Sequence, residues 1–459
     1  MNRNLYLVLA LPGFAISTTA AAPQSTESAA EIDLAAAVEL ALQHSPAMRS
    51  AQAALDAAEA AEGEARGSYL PNLQLKETLT RSDNPVFAFG SKLEQGRFDS
   101  ADFELEALNR PEPLTNLRSN IELHARLLDL SRRPQQISAA AAGALSARAG
   151  QTAMEQHVRF ATIAAYLGVL SARGGLESAA ASLETASSEA RRLAELHHEG
   201  LLVESDLLSA QVIEARYSQE WIAARGALRV AEARLADVLG LRPAPRVADT
   251  PWIDPQLPAL DEVQLFQAAE QQHPTLQQRR SDLAAAEAAR RHALLELTPS
   301  LDGFAQWGYS SDGLSAGSDD YAIGLALVWD LFDPGRADRR ARAAAVVRRA
   351  AAERDAALSQ VETALAEAVA DQASAQAQLE VAARAEGQAD RALAIVRERH
   401  AAGLSTISEL LAAQSALGDA RQRRRLARHG ALLGYARALL AAGQLEDIGP
   451  ITDALRGAP

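Results

Sequence analysis

Two hydrophobic periodicities alternate along the chain, and the whole series occurs twice. Leu34–Gln43 and Asp261–Gln271 have the spacing of short helices, each ending before a proline, Pro46 or Pro274. A second helix starts at each of these prolines, where the missing N–H costs nothing because first-turn N–H groups have no intrahelical partner. These helices run to Gly67 and to about Leu297, and Pro71 and Pro299 stop them. The period then drops to two. In Ser119–Leu130, Ile121, Leu123, Ala125 and Leu127 alternate with Asn120, Glu122, His124 and Arg126. In Tyr321–Asp330, Tyr321, Ile323, Leu325, Leu327 and Trp329 alternate with Ala322, Gly324, Ala326, Val328 and Asp330. Leu73/Leu75/Leu79 and Leu301/Ala305/Trp307/Tyr309 add two less regular strands. Two very long helical tracts follow, Pro134–Glu199 and Gly335–Ala402. Each spans some 65 residues and would reach roughly 100 Å. Gly200 and Gly403 break them, and shorter helices return over Ser205–Leu239 and Ser405–Ala442.

The repetition extends to individual residues. Pro46/Pro274, Leu55/Leu283, Pro71/Pro299 and Leu73/Leu301 are all 228 apart. Leu128-Asp129-Leu130 answers Trp329-Asp330-Leu331, and Gly200-Leu201…Leu207-Leu208 answers Gly403-Leu404…Leu410-Leu411. The offset falls to 201 after the strands, so the first half carries 27 extra residues between Pro85 and Leu114. The expected fold is mainly α with a small β part: two copies of a unit made of helices, two strands and a long helical hairpin. The expected boundaries are residues 1–21 for an export signal, 22–240 for the first repeat, 241–260 for a proline-rich linker, 261–442 for the second repeat and 443–459 for a tail.

Four strands near 9–11 residues long have the length of tilted membrane-crossing β-strands. One face is aliphatic with aromatics toward the ends, suiting lipid and an interfacial girdle. The other is polar or small, suiting a lumen. A soluble hairpin pair with one buried face is the competing reading. Four strands cannot close a barrel, and an open edge in lipid leaves unpaired backbone groups. Two copies would give eight strands around a filled interior, three would give twelve around a conduit. The 27-residue addition has the length of an extracellular barrel loop.

Alanine, leucine, glutamate, glutamine and arginine dominate, aromatics are only 4%, and lysine occurs twice, at Lys76 and Lys92. That composition favours slender helices in close contact over a thick core. The N-terminus runs from Arg3 through an apolar Leu5–Ile16 to the small residues Ser17–Ala22, the order of a secretory signal, with cleavage expected after Ala20 or Ala21. A membrane anchor is the alternative, against which the apolar stretch is short. With no cysteine there is no disulfide framework and no thiol to carry a lipid. The net charge of −14, about −15 without Arg3, disfavours nucleic acid. No later run of 18 apolar residues exists to span a membrane as a helix. A glycine-rich phosphate loop, a nucleophile elbow and HExxH are all lacking, so neither enzyme activity nor a cofactor is expected.

The doubled Pro46…Leu70-Pro71 and Pro274…Thr298-Pro299 segments, the run Trp329-Asp330-Leu331-Phe332-Asp333-Pro334-Gly335-Arg336 and the twin hairpin tips together resemble the outer membrane efflux protein (TolC-like) family over nearly the whole chain. The resemblance implies a homotrimer, with a twelve-stranded outer-membrane barrel continuous with a periplasmic coiled-coil tunnel. Such a protein is the passive exit duct of a tripartite efflux pump or type I secretion system, served by a periplasmic adaptor and an inner-membrane pump, in a Gram-negative outer membrane. On this resemblance Gly200, Leu201, Val203, Asp206, Gly403 and Leu404 dock the adaptor. Glu409 either narrows the entrance as an acidic ring or is an ordinary exposed acid, and Ala412 and Ser405 depart from the family's second acid and latch arginine. Ile121, Leu123, Leu127, Ile323, Leu325 and Leu327 face lipid, with Trp307, Tyr309, Tyr321 and Trp329 as the girdle. A periplasmic structural or adaptor protein without membrane strands is the alternative. His197, His198 and His400 admit a metal site or a plain helix surface. Arg421, Arg423, Arg424, Arg425 and Arg428 admit a partner patch or a solvated face.

Overall fold

The computed structural model describes residues 31–129, 132–201, 203–243, 245–249, 254–313, 317–402 and 404–456. The expected export signal at residues 1–21 and the tip glycine Gly403 lie outside the described residues. In the first half, α1 (Leu34–His44) and α2 (Pro46–Gly67) precede β1 (Asn72–Ser82), the extra segment folds α3 (Pro85–Glu94) and α4 (Leu105–Asn109), and β2 (Leu114–Leu128) leads into α5 (Arg132–His198) and α6 (Glu204–Leu239). In the second half, α7 (Glu262–Gln272) and α8 (Pro274–Leu294) precede β3 (Ser300–Ser311) and β4 (Ser318–Val328), which lead into α9 (Arg336–Ala401) and α10 (Ile407–Ala441); α11 (Gly449–Arg456) follows.

Each boundary has a local cause. Ser45 and His273 occupy equivalent positions and cap the helices that start at Pro46 and Pro274, their side chains accepting the Ala47 and Thr275 N–H groups, each at 3.2 Å. The long helices α5 and α9 hold 67 and 66 residues and fold back on α6 and α10 as two antiparallel hairpins. Alanine is the most frequent residue at their buried positions, as at Ala142, Ala186, Ala350 and Ala368, which lets helix backbones approach closely there.

The main core lies around the middle of α5, where Tyr166, Ile163 and Leu167 meet Leu34 of α1, Leu235 and Leu239 of α6, Leu432 of α10 and Ile451 of α11. The proline-rich segment is drawn into this core. Ile32 and Val247 form a parallel bridge, with Ile32 N–H donating to Arg246 O and Ala248 N–H to Ile32 O, both at 2.9 Å. The expected tail is likewise folded: α11 buries Ile451, Ala454 and Leu455, and Arg456 pairs with Asp33 at 2.8 Å. Two glycines beyond the returning helices complete the repeat. Gly240 and Gly443 have φ of +67° and +70°, and each lies directly on the helix junction of its own half, at His44–Pro46 and His273–Pro274.

The four strands form one antiparallel sheet in the order β1-β2-β3-β4, leaving β1 and β4 as its edges. β2 begins five residues before Ser119, because Leu114–Arg118 continue the ladder opposite Thr78–Ser82. β4 ends at Val328, so Trp329 stands just past the strand. Among the described residues no helix is long and apolar enough to cross a membrane.

Candidate functional site: the sheet and the hairpin tips

The cross-strand register stacks apolar side chains in rows on one face. Leu75, Ile121, Trp307 and Tyr321 form one row, and Leu73, Leu123, Ala305 and Ile323 the next. Ala125, Gly303 and Leu325 follow, then Leu301 and Leu327. Leu127 and Leu128 share a bulge opposite Leu301, and the Leu127 side chain lies over Gly303, where a Cβ would sit 2.9 Å from it. Among the described residues nothing packs across this face: Ile323 is 78% exposed and Leu325 68%. Tyr309 falls one row above Trp307, where its hydroxyl accepts the Gly317 N–H at 2.7 Å. Trp329, at the opposite end, donates its indole N–H to Leu297 O at 2.9 Å. The expected aliphatic face, with aromatics at both ends, is therefore a single continuous surface.

The other face carries ion pairs that alternation alone could not match up. Arg118 donates to Asp320 at 2.9 Å and to Ser310 Oγ at 3.0 Å, and Arg126 donates to Asp302 at 2.9 Å with Asp129 at 3.6 Å. Arg118–Asp320 and Arg126–Asp302 each bridge strands from the two halves. Phe304 is an aromatic on this polar face, lying over Gly324, where a side chain would collide with its ring.

The passage from α8 to β3 leaves helix-end carbonyls without intrahelical partners, and arginines supply them. Arg340 donates to Ala293 O and Leu294 O at 3.4 and 3.1 Å, and Arg132 to Glu296 O and Thr298 O at 2.8 and 3.3 Å. Arg339 grips the Glu296 carboxylate at 2.9 Å and also the Asp333 carboxylate, holding both acids below the usual carboxylate range. Arg132 thus ties the first half to the second. A signal for these residues was present: Arg132, Arg133, Arg336, Arg339 and Arg340 crowd the N-termini of α5 and α9, where the helix dipole disfavours cations.

At the far end the two tips are closed alike. Gly200, at φ +73°, lets its N–H reach His197 O at 3.0 Å while Leu201 N–H reaches Leu196 O at 2.8 Å. The second tip repeats the wider bond, Leu404 N–H to Arg399 O at 2.8 Å, around Gly403. The tip leucines divide. Leu410 and Leu411 are buried with Leu193, Leu393 and Ile407, and Leu207 packs against them. Leu201, Val203 and Leu404 point outward, Leu201 and Leu404 at 72% and 70% exposure. Asp206 sits half-buried in the first turn of α6, favourably placed for the helix dipole. Glu409 has a local task that Thr406-x-x-Glu409 could have revealed: it donates its N–H to Thr406 Oγ1 at 3.2 Å and accepts the Thr406 N–H at 3.3 Å, a capping box.

Two clusters change meaning. The arginines of α10 divide: Arg423 stays exposed, while Arg421 and Arg424 are ion-paired and Arg428 is buried. Arg424 binds Asp254 and Glu386 at 2.8 and 3.1 Å, Arg421 reaches Glu386 and Asp390, and burial pushes Arg428 down to about 10. They tie α10 to α9 and to the linker. His400 bonds through Nδ1 to Ser405 O at 3.0 Å, a link within the second tip.

Comparison with known proteins agrees with this architecture. The outer membrane efflux protein family model matches residues 37–241 and 265–441. The chain is 30% identical over 408 residues to Protein CyaE of Bordetella pertussis, covering 87% of this chain and 82% of that protein. Its fold is similar to the CmeC outer membrane channel of Campylobacter jejuni (TM-score 0.76, 16% identity, 92% of this chain and 89% of that one). It is also similar to the outer membrane protein VceC of Vibrio cholerae (TM-score 0.71, 21% identity, 89% and 96%). The chain belongs to the outer membrane efflux protein family and is an outer-membrane efflux duct.

Proposed function

We propose that three copies join their sheets edge to edge, β4 of one against β1 of the next, into a twelve-stranded barrel whose apolar face meets lipid. The observation that carries this reading is the open four-stranded sheet with one apolar and one ion-paired face. Lipid cannot satisfy the free N–H and C=O groups of β1 and β4, and a closed ring of copies can. Twelve strands about 4.8 Å apart and tilted ~40° make a ring about 24 Å across, wide enough for a conduit. The hairpins α5–α6 and α9–α10 then continue the wall as a tunnel of alanine-lined helices. Each half, 22–240 and 261–442, is one copy of a duplicated unit, so three chains supply six near-equal sectors.

Members of this family work with adaptor and inner-membrane pump partners. Here Leu201, Val203 and Leu404, exposed at the two hairpin tips, the first of which turns at Gly200, are the adaptor-docking surface. Asp206 flanks that surface, while the capping box leaves Glu409 a structural part.

The absence of cysteine permits a direct test of the ring. Gln74→Cys on β1 is combined in turn with Ala322→Cys, Ala326→Cys or Val328→Cys on β4. Within one chain these edges stand three strand spacings apart, about 14 Å, beyond the roughly 7 Å Cα separation a disulfide spans. One pairing is expected to give covalent trimers on non-reducing gels. Monomers from all three pairings refute edge-to-edge closure.

A further inference from the structure

The 27-residue addition between β1 and β2 is not an open loop. Asn84 caps α3 by accepting the Val86 and Phe87 N–H groups at 3.0 and 3.2 Å, and Pro85 occupies the first turn. Phe89, Phe98 and Phe103 stack edge-to-face at centroid distances of 4.7 and 5.1 Å, holding the rest of the segment to the helix.

The segment is seated on the polar face of the sheet. Gln95, 2% exposed, donates to Thr115 O and Asn116 Oδ1, each at 2.9 Å. Glu94 accepts from Asn116 at 3.3 Å and lies 3.4 Å from Arg118, the residue that also holds Asp320 of β4. Arg97 pairs with Asp312 in the β3–β4 turn at 2.5 Å. Asn116 and Arg118 share strand parity with Asn120, Glu122 and His124, so α3 lies on the ion-paired side, away from the apolar rows.

Which way the helix looks follows from its spacing. Ala88, Ser91 and Gln95 are buried and form one stripe against the sheet. At about 100° per residue, Val86, Gly90 and Leu93 fall on the opposite side. That side is apolar and uncovered: Val86 is 82% exposed, Leu93 52%, and nothing stands within 4 Å of the Gly90 position. An apolar stripe turned away from the wall on the inner face of a barrel looks at the barrel axis.

We propose that α3 is an exit constriction, in which the Val86–Leu93 faces of three copies meet on the axis and close the outer mouth with an apolar plug. The proposal rests on the trimeric barrel above, and the occupant of each uncovered face is the same face of the neighbouring copies. Size supports it: the ~24 Å ring is measured across strand backbones, so a helix about 10–12 Å thick seated on the inner face of each of three sectors leaves little open lumen between them. The Glu94–Arg118–Asp320 link fixes the helix to both halves of its own chain, so opening requires this link to yield and the helix to swing away from the axis. Small hydrated solutes are excluded by this plug, and a cargo driven from the periplasmic side displaces it.

The test uses the full-length protein, in which Leu93→Cys introduces the sole thiol. Oxidation of trimers in outer-membrane fractions is expected to give a covalent dimer beside uncrosslinked monomer, because three thiols at one axis can join only two at a time. In planar bilayers, Leu93→Asp is expected to raise the conductance of the trimer several-fold. Normally assembled trimers that give no crosslink, or whose conductance Leu93→Asp leaves unchanged, overturn the plug while leaving the duct intact. Failure of the unsubstituted protein to form trimers would instead remove the assembly on which it rests.

Discussion

Arginine at position 325 probes the apolar face where it is deepest. Leu325 lies four residues from Tyr321 and four from Trp329, so it stands about 13 Å along the strand from each aromatic end. With strands tilted ~40°, that is roughly 10 Å from either interface, close to the middle of an apolar band about 20–25 Å tall. A charge there costs about 2–4 kcal/mol, against about 0–1 kcal/mol near an interface. Ala326, one residue on, lies on the other face opposite Asp302. The expected order of destabilisation is Leu325→Arg first, with Tyr321→Arg and Ala326→Arg both small. Three chains raise the Leu325→Arg cost to about 6–12 kcal/mol per assembly. Urea titration of folding into lipid vesicles, followed by the heat-sensitive mobility of the folded form on gels, measures it. Equal shifts for Leu325→Arg and Ala326→Arg refute the register or the membrane face. A Tyr321→Arg cost matching that of Leu325→Arg refutes the assigned depth.

Three further outcomes are expected. Burial, and then the neighbouring His157, hold the pKa of His273 below its ordinary 6.5, so the folded chain takes up this proton less readily than the unfolded one. Stability from this group is present above pH 6.5 and is lost as the pH falls through the depressed value, with Glu367 and Asp371 of α9 and Arg437 of α10 also lining the cavity; His273→Ser, copying Ser45, keeps the cap and should flatten the acid limb in thermal melts. Gly240→Ala places a Cβ 2.6 Å from His44 O at φ +67°, whereas Gly200→Ala meets open space at φ +73°; chemical denaturation should show about 1–2 kcal/mol lost for the latter from backbone strain alone, and clearly more for the former. Leu201→Asp with Leu404→Asp should abolish efflux in a drug-susceptibility assay while trimers persist on gels, and unchanged efflux removes these residues from adaptor docking.

Much of this architecture was legible because it is written as period. A switch from helical spacing to strict alternation at Ile121–Leu127 and Tyr321–Leu327 locates strands. Two tracts of strong helix formers, free of proline after Pro134 and Pro334, locate the long helices. The doubled prolines placed the helix junctions almost to the residue. Functional surfaces were less legible. The tip motif marked Gly200 and Leu201, yet its paired leucines serve different ends, since Leu410 and Leu411 fill a core while Leu201 and Leu404 stay outside. The α10 arginines look like a patch in one dimension because their acids, Asp254 and Glu386, come from distant segments. Length and position between two strands mark the extra segment as a loop, whereas Pro85 starts a helix and Gly96, at φ +64°, follows its end.

The sequence by itself determined the class of the repeated helices and of the four strands, the twofold repetition and the sidedness of the strands, because spacing along a helix or strand sets which side chains share a face. Only the tertiary structure decided what those faces meet. It paired Arg118 with Asp320 and Arg126 with Asp302 across the two halves, sent Arg340 to the carbonyls ending α8 and Arg132 to those just beyond it, and set Gly240 and Gly443 on the helix junctions. It also seated α3 on the polar face of the sheet. These are contacts between residues up to some two hundred positions apart, and local periodicity carries no information about partners at that distance.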